Sequence, residues 1–220
     1  ISAAISTFDP NAELYKFNEL KHTNPYPVSL LLSDIIEETI HQAHRIEDVI
    51  DITVGPLVNL WGFGKDKSPN RTPAAWEIEN ARKHTGLDKF EIRHTANGSM
   101  LAKRDTAVKL DLATVGEGIG ADAVALELEK LGIHNYLVAV AGANRSRGLN
   151  PQGKLWKIGI EDPTTPEHKV FAVVCPLEQG MSTAGSYRNY FKDEQSGKIY
   201  SHAINPKTGY PIDHNTLSVT

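Results

Sequence analysis

The sequence predicts an α+β fold in which helices flank mixed or antiparallel sheets. Three stretches with apolar residues at helical spacing lie in the first and middle thirds of the 220 residues, and short β-prone segments dominate the last third. A doubly wound α/β sheet would require strands and helices to alternate regularly along the chain. The uneven order of the elements therefore favours α+β, and the length suits one domain over residues 1–220.

The first predicted helix covers residues 29–46. Ser29 is a suitable N-cap, because its hydroxyl can accept a hydrogen bond from a free N–H of the first turn. Pro25 and Pro27 keep the preceding residues out of a helix. One apolar stripe at helical spacing is expected to face the core: Leu31, Ile35, Ile36, Ile40, Ala43 and Ile46.

The second and third helices are predicted from the signals at their ends. Thr72, which a proline follows, is interpreted as the N-cap of a helix over residues 72–85 that Gly86 closes. The third helix covers residues 117–131 and ends at Gly132. Its inward residues are expected to be Val124, Leu128 and Leu131.

The strands are predicted from β-prone runs between turn signals. Asn97-Gly98 is a strong hairpin signal that joins residues 90–95 to residues 100–103. Residues 206–209, Pro-Lys-Thr-Gly, predict a tight turn. The other predicted strands cover residues 108–112, 136–140, 156–160, 170–174 and 199–204.

Composition excludes some classes of protein. The net charge of −4 argues against a nucleic-acid partner, which requires a basic face. The single cysteine, Cys175, rules out an internal disulfide and suits a cytosolic or an exported protein equally. No run of 18 apolar residues and no signal peptide is present, and we expect the ends at Ile1 and Thr220 to be incomplete.

The first of five stretches that carry candidate chemistry is residues 51–64, Asp-Ile-Thr-Val-Gly-Pro-Leu-Val-Asn-Leu-Trp-Gly-Phe-Gly. Trp61 and Phe63 lie beside glycines and could cover a planar ring, because glycine allows a ligand to approach the backbone closely. Aromatic residues in such a run are more often part of a core. Both interpretations stay open at this point.

The second stretch, residues 110–122, is rich in glycine. A strand that passes through a glycine turn into a helix would direct backbone N–H groups at an anion such as pyrophosphate. Its glycine spacing differs from the dinucleotide-binding fingerprint. Asp111 and Glu117 would repel a bare phosphate and suit ribose or ring donors, or a metal. A junction that merely tolerates glycine is an equally weighted alternative.

Two further stretches offer hydrogen-bond donors. Residues 139–148 end a strand in a turn of small residues with Arg145 and Arg147, whose guanidinium groups suit phosphate oxygens. Solvated arginines at a turn are the alternative. Residues 181–191 place hydroxyl groups before two tyrosines and an arginine, which suits either a ligand or an edge strand.

The fifth stretch, residues 200–211, places His202 on a strand just before the predicted turn. Imidazole titrates near neutral pH and can act as a general base. The chain has nine histidines, so the residue type alone does not single out His202. The sequence contains no Walker loop, no zinc-spaced Cys/His set and no Gly-x-Ser-x-Gly elbow.

Taken together and in this order, the motifs resemble those of the FAD:protein FMN transferases, the ApbE family. The likeness covers nearly the whole chain and is most specific in residues 51–64 and in Gly-Ser-Tyr-Arg-Asn-Tyr at residues 185–190. Ser6-Thr-Phe-Asp-Pro, Thr114-Val-Gly-Glu-Gly and Asn205-Pro-Lys-Thr-Gly add to it. The resemblance implies the flavin transferase fold.

The resemblance also implies an activity that depends on Mg²⁺. FAD is cut at its pyrophosphate, FMN is joined to a threonine or serine hydroxyl of a partner flavoprotein, and AMP leaves. An FAD pyrophosphatase that releases FMN and AMP, and a non-catalytic FAD-binding protein, are the alternatives. Family members are usually exported, often as lipoproteins, so a periplasmic protein with a membrane anchor is expected.

Site residues follow from the same resemblance. His202 matches the proposed base, and Thr114 matches a metal-coordinating position. The positions that match FAD contacts are Phe8, Val49, Ile50, Asp51, Asp111, Glu117 and Ile204.

The sequence departs from the family pattern in several places. Ala141 stands where the family has the first glycine of a pair, Ala184 where it has serine, and Asn205 where it often has aspartate. An aspartate and a threonine or serine that complete the family's metal site have their equivalents beyond Thr220. We therefore expect the metal site and one edge of the flavin pocket to be incomplete in this chain.

Overall fold

Six α-helices and twelve short strands make up the described part of the chain. The structure, a computed structural model, describes residues 1–47, 49–65, 71–96, 98–165, 167 and 169–220. The helices are α1 Ser2–Ile5, α2 Glu13–Glu19, α3 Leu30–Arg45, α4 Gly55–Leu60, α5 Ala75–Arg82 and α6 Ala113–Lys130. The strands are β1 Tyr26–Val28, β2 Phe90–Thr95, β3 Gly98–Lys103, β4 Tyr136–Val140, β5 Ala143–Arg147, β6 Ile158–Glu161, β7 Val170–Val174, β8 Gly180–Ser182, β9 Ala184–Gly185, β10 Tyr190–Lys192, β11 Ile199–Ser201 and β12 Ser218–Val219.

The chain folds into two compact units. Unit 1 consists of Ile1–Leu112 and Asn189–Asp213, and unit 2 consists of Ala113–Arg188 and His214–Thr220. Every ladder between the named strands is antiparallel, and the predicted α+β class is confirmed. The expectation of one domain over residues 1–220 stays a prediction. Among the described helices, none combines the length and the apolar character that a bilayer span requires.

Unit 1 is built on a sheet of order β1-β3-β2, against which α3 packs. The predicted hairpin is confirmed, with Phe90 opposite Lys103 and Thr95 opposite Gly98. Its second strand begins at Gly98, two residues earlier than predicted, because the ladder continues up to the turn. Asn97, on which the hairpin signal depended, lies outside the described residues.

Helix α3 begins where the sequence predicts. Ser29 is its N-cap, and its Oγ accepts a hydrogen bond from the Leu32 N–H at 3.2 Å. Leu31 and Ile46 were expected to be inward but are exposed, because the buried stripe is centred on Leu32 rather than on the residue before it. The buried α3 residues are Leu32, Ser33, Ile35, Ile36, Thr39 and Ala43.

The predicted ends of the second helix are wrong. α5 begins at Ala75, because the Thr72 N–H and hydroxyl both donate to Asp193 Oδ2, at 2.8 and 2.9 Å, and do not cap a helix. The helix ends at Arg82, four residues before Gly86. Gly86 has a φ of +123° and serves the turn that leads to β2 rather than the helix end.

Unit 2 packs α6 against a sheet of order β4-β5-β8. Helix α6 starts at Ala113, four residues before the predicted start, and Gly132 closes it with a φ of +77° as predicted. Val124 and Leu131 were expected to be inward but are exposed, and the helix instead buries small residues that allow β4 to approach closely. The buried cluster consists of Ala121, Ala125, Tyr136 and Val138.

Three of the later strand predictions need correction. Residues 108–112 form no ladder among the described strands and contribute one isolated parallel bridge, between Lys109 and Val54. β6 begins at Ile158 rather than at residue 156. β11 ends at Ser201, and Ile204 forms an isolated bridge with Pro211 across the predicted turn. Residues 136–140 and 170–174 form strands with the predicted bounds.

Candidate functional site

His202 lies directly after β11 in unit 1, with an exposed side chain. The Asn189 carbonyl accepts two hydrogen bonds from it, one from the backbone N–H and one from Nδ1, both at 3.1 Å. Since a carbonyl oxygen can only accept, the neutral imidazole must carry its proton on Nδ1. Nε2 then has the lone pair, which is the state that a general base requires.

An aromatic cluster supports the imidazole from one side. The Phe63 ring meets His202 edge-on, with ring centroids 6.3 Å apart. Phe63 packs in turn on the buried core of Trp61 and Phe191. Trp61 is 2% exposed and its Nε1 donates to the Gly209 carbonyl at 2.8 Å, so the core interpretation of this residue is the observed one.

The turn after His202 is held by one asparagine and one glycine. Asn205 Oδ1 accepts from the Lys207 N–H at 2.9 Å, and the Asn205 backbone pairs with Tyr210 and Gly209. An aspartate could accept the same bond, so the departure from the family pattern is harmless here. A Cβ on Gly209 would lie 2.7 Å from the Ile78 side chain, so only glycine lets the turn reach α5.

Asp51 and Asp111 are carried by neighbouring segments of unit 1. The Asp111 N–H donates to the Ile52 carbonyl at 2.7 Å, and the bridge between Val54 and Lys109 continues this pairing. Asp51 Oδ1 accepts from the Thr53 N–H at 2.8 Å and from its hydroxyl at 2.5 Å. The two segments that carry these carboxylates, which the resemblance assigns to FAD, therefore lie side by side.

A polar recess opens beside Asp111. Glu19 and Lys65 form a salt bridge of 2.8 Å in it, and this hydrogen bond holds the pKa of Glu19 below its usual value. Tyr15 lies under the Lys65 ammonium, 4.1 Å from Nζ to the ring centroid. The recess is lined by Thr7, Tyr15, Asn18, Glu19, Gly55, Asn59, Gly64, Lys65, Lys109, Leu110 and Asp111.

The other predicted FAD contacts of unit 1 lie on its surface or beside its core. Phe8 is 65% exposed and follows Thr7 of the recess. Val49 is 64% exposed, and Ile50 is half-buried. Ile204 packs against the aromatic cluster below His202. Of these side chains, Ile204 therefore lies beside the aromatic cluster that contacts His202, and Phe8 follows a residue that lines the recess.

Glu117 and Thr114 both lie on α6 of unit 2, three residues apart and hence on one helix face. Glu117 Oε2 accepts from the Gly142 N–H at 2.9 Å, at the turn between β4 and β5. The glycine turn predicted for residues 110–122 is absent, because its glycines lie within the helix. An anion site at that turn is therefore not formed.

The two arginines considered for phosphate contact or solvation have carboxylate partners in unit 2. Arg145 and Arg147 lie in β5 rather than in the turn. Arg145 pairs with Asp122 at 2.9 Å, and Arg147 pairs with Glu129 at 3.3 Å. The Tyr136 hydroxyl donates to the same Glu129 carboxylate and is the main reason that its pKa is lowered. These pairs attach β5 to α6.

The group that holds His202 could not be predicted from the sequence. That group is the main-chain oxygen of Asn189, and a backbone carbonyl leaves no mark in the residue type. The Gly-Ser-Tyr-Arg-Asn-Tyr motif could have drawn attention to the position, since its last two residues enter β10 opposite β11. Asn18, which lines the recess beside Asp111, was not singled out from the sequence either.

The residues present do not fit a complete Mg²⁺ site. Across the described ranges, no three His, Cys, Asp or Glu side chains come together in a group that could hold a metal ion. Mg²⁺ takes oxygen ligands in octahedral geometry and usually needs one or two carboxylates. Thr114 alone offers one hydroxyl, which is fewer oxygen ligands than such a site requires.

Comparison with known proteins identifies the family. A sequence model described as the ApbE family matches residues 1–220. The chain is 44% identical to the FAD:protein FMN transferase of Salmonella typhimurium and 42% identical to that of Escherichia coli, over 98% of this chain in each case. It spans 61% of each of these relatives, or about three fifths of their length.

Solved structures of ApbE proteins have the same fold as this chain. The flavin transferase ApbE from Vibrio cholerae superposes with a TM-score of 0.84 at 36% identity, over 99% of this chain and 67% of that one. The ApbE protein from Thermotoga maritima superposes with a TM-score of 0.85 at 27% identity, over 98% of this chain and 67% of that one. The match of sequence and fold over the whole length shows that the chain belongs to the ApbE family, as its motifs indicated.

Proposed function

We propose that this protein transfers FMN from FAD to a threonine or serine hydroxyl of a partner flavoprotein and releases AMP. The relatives named FAD:protein FMN transferase support this activity. The observation that carries it within the chain is the His202 imidazole, whose Nδ1 is bonded to the Asn189 carbonyl. That bond leaves Nε2 as a base on an exposed residue, which a side chain of another protein can reach.

The proposed chemistry uses one proton transfer and one exchange of bonds at phosphorus. Nε2 of His202 takes the proton of the acceptor hydroxyl, and the hydroxyl oxygen bonds to the phosphorus of the FMN half. The bond from that phosphorus to the bridging pyrophosphate oxygen breaks, and the electron pair leaves with AMP. The proton returns from His202 to solvent or to the leaving phosphate.

The acidic residues suit the parts of FAD that carry no charge. On the family resemblance, Asp51, Asp111 and Glu117 are proposed as FAD contacts. Carboxylates repel phosphate groups but accept hydrogen bonds from ribose hydroxyls and ring N–H groups. Phe8, Val49, Ile50 and Ile204 complete the proposed contacts through their apolar surface.

The proposal extends to metal and location. Mg²⁺ is a component of the proposed reaction, with Thr114 as a ligand, and chelation with EDTA is expected to stop transfer. A periplasmic, lipid-anchored full-length protein is proposed on the family resemblance alone. Fractionation of cells and mass spectrometry of the mature N-terminus test it.

The proposed reaction is tested by incubating the protein with FAD, Mg²⁺ and a peptide that contains a threonine acceptor. Mass spectrometry is expected to show a peptide that has gained FMN as a phosphoester, and AMP in solution. We expect His202→Ala to lose this product by about 100-fold or more, because the general base is gone. His22→Ala, which removes an exposed histidine elsewhere in unit 1, is the matched control.

Two other results have defined meanings. Free FMN and AMP without a modified peptide would assign the protein as an FAD pyrophosphatase, in which water takes the place of the acceptor. The exposure of His202 suits that reaction as well. Intact FAD that stays bound with an unmodified peptide would assign it as a non-catalytic FAD-binding protein.

A further inference from the structure

Asn18 is a buried asparagine whose side chain bonds to the backbone of a residue far away in the sequence. It is 7% exposed and lies in α2. Its Nδ2 donates to the Leu110 carbonyl at 2.8 Å, and its Oδ1 accepts from the Leu110 N–H at 2.8 Å. The amide thus satisfies both main-chain groups of Leu110, as a neighbouring strand would.

These bonds act on the peptide group that orients Asp111. The Leu110 carbonyl and the Asp111 N–H belong to one planar unit. Asn18 holds the oxygen of this unit, and the Ile52 carbonyl holds its N–H at 2.7 Å. Since both ends of the plane are bonded, the direction in which the Asp111 side chain leaves the backbone is fixed.

Asn18 is itself held in place by a buried lysine. Lys103 Nζ donates to the Asn18 carbonyl at 2.9 Å and to the carbonyls of Leu20 and Thr106 at 3.0 and 3.3 Å. The ammonium also lies 5.4 Å from the centroid of the Phe17 ring. The chain of contacts from Lys103 through Asn18 to Leu110 is buried and ends at the recess that Asn18 and Asp111 both line.

We infer that Asn18 is a positioning residue for ligand recognition, which fixes the direction in which the Asp111 carboxylate meets FAD. The inference rests on the proposed function, since it takes FAD as the ligand of Asp111. A purely structural role would also require a buried asparagine at this point. The two roles differ in one measurable respect, which is whether the effect of Asn18 on binding passes through Asp111.

A double-mutant cycle on FAD affinity measures this. Equilibrium dialysis gives the dissociation constant of FAD for the wild type, Asn18→Ala, Asp111→Asn and the double variant. We expect Asn18→Ala to weaken binding by about 3- to 10-fold, as expected from the loss of one or two hydrogen bonds. In the Asp111→Asn background the same change is expected to have almost no effect.

The control is Thr39→Val, which removes a buried hydroxyl that bonds within α3 to the Ile35 carbonyl at 2.6 Å. It is expected to lower the melting temperature without changing the FAD affinity. Asn18→Ser, a smaller change, is used if Asn18→Ala does not fold by circular dichroism. Both variants are compared with Thr39→Val at a temperature where all are folded.

Unchanged FAD affinity in the Asn18 variants would overturn the inference. An equal loss in the Asp111→Asn background would overturn it too, because Asn18 would then act independently of Asp111. FAD binding that shows the expected coupling without any transfer of FMN to the peptide would contradict only the proposed reaction and leave the inference supported.

Discussion

At the scale of single residues, Lys103 is unusual because its ammonium is buried and donates to three backbone carbonyls. It is 2% exposed, and burial together with Lys21 and Lys109 lowers its pKa to about 8. The three carbonyls give the ammonium hydrogen bonds but not a neutralising charge. The free energy of folding is therefore less favourable when this lysine is protonated.

The stability of the protein should consequently rise with pH through the range in which Lys103 titrates. From about pH 8 to about pH 10 the unfolded chain binds a proton that the folded chain has released, so the free energy of unfolding increases with pH. We expect the difference between the wild type and Lys103→Met to grow by about 1 kcal/mol per pH unit in this range. Urea denaturation at several pH values measures it.

The matched control for that experiment is Lys130→Met, which changes a lysine whose side chain is 70% exposed. Its stability is expected to follow the wild type at every pH. Parallel curves for the wild type and Lys103→Met would show that the pKa of Lys103 does not change on folding.

His202 shows at the same scale why part of the candidate site could not be predicted. The residue itself was found because it matches the base position of the family that the motifs resemble. The tautomer of its neutral imidazole depends on the Asn189 oxygen, which the sequence does not single out. The sequence likewise does not show the partner of Arg145, because Asp122 lies on α6, which packs against β5.

At the scale of elements, Asp193 connects the hairpin of β10 and β11 to the segment before α5. One oxygen accepts from Ser196, and the other accepts from Thr72 at 2.8 and 2.9 Å. The hydrogen bond from the Ser196 N–H is the largest of the effects that lower the pKa of this carboxyl from its usual 3.8. The same hairpin leads directly into His202.

We expect Asp193 to stabilise the protein only while it is ionised. Because its pKa is lower in the folded chain, its contribution is present above about pH 4 and is lost as the pH falls towards the folded pKa. The melting temperature of Asp193→Asn should therefore be lower than that of the wild type near pH 6. The difference between the two melting temperatures should be smaller near pH 3. Scanning calorimetry measures the two melting temperatures at each pH. The control is Asp213→Asn, because Asp213 pairs with the half-exposed Lys198 and an exposed ion pair contributes little to stability.

The turn between β4 and β5 allows a second test at this scale. A Cβ on Gly142 would lie 2.8 Å from the Thr183 carbonyl and 3.2 Å from Glu117 Oε2, so the turn must move. Gly142→Ala is expected to cost about 1–3 kcal/mol of stability. Ala141→Gly should cost little, since Ala141 already has a φ of +46° that glycine adopts freely. Equal melting temperatures for Gly142→Ala and the wild type would show that the turn accommodates a Cβ at this position.

Local signals explain which elements the sequence predicted. The start of α3 was predicted because Ser29 bonds to Leu32, only three residues further along the chain. Strand β4 was predicted because it is a continuous apolar run. Thr72 was assigned wrongly because its partner Asp193 lies 121 residues further along. α6 was started too late because glycines are poor helix formers in isolation, whereas packing on β4 and β5 keeps them helical.

At the scale of the whole molecule, unit 1 is made from two separate parts of the chain. Asn189–Asp213 supplies Phe191, Tyr200 and Gly209, which contact the Trp61 ring that Ile1–Leu112 supplies. The ring centroids of Trp61 and Tyr200 are 5.0 Å apart. The aromatic cluster therefore cannot form from either part alone.

A fragment that ends at Leu112 is expected to leave Trp61 in contact with water. Its fluorescence should peak at a longer wavelength than in the whole chain, and a peptide of residues 189–213 should reverse part of the shift. Trp76, which is 72% exposed, is changed to phenylalanine in both proteins, and Trp156 is changed in the whole chain. An emission peak at the same wavelength in both would contradict the proposed dependence.

The divided unit also has a consequence for synthesis. A ribosome delivers Ala113–Arg188, the larger part of unit 2, between the two parts of unit 1. Because synthesis proceeds at about 5–20 residues per second, the apolar ring of Trp61 is made on the order of ten seconds before the residues that it contacts in Asn189–Asp213. During that interval the nascent chain exposes apolar surface that is buried in the folded protein. We therefore expect chaperones to bind this protein before residue 213 has emerged and to release it soon afterwards.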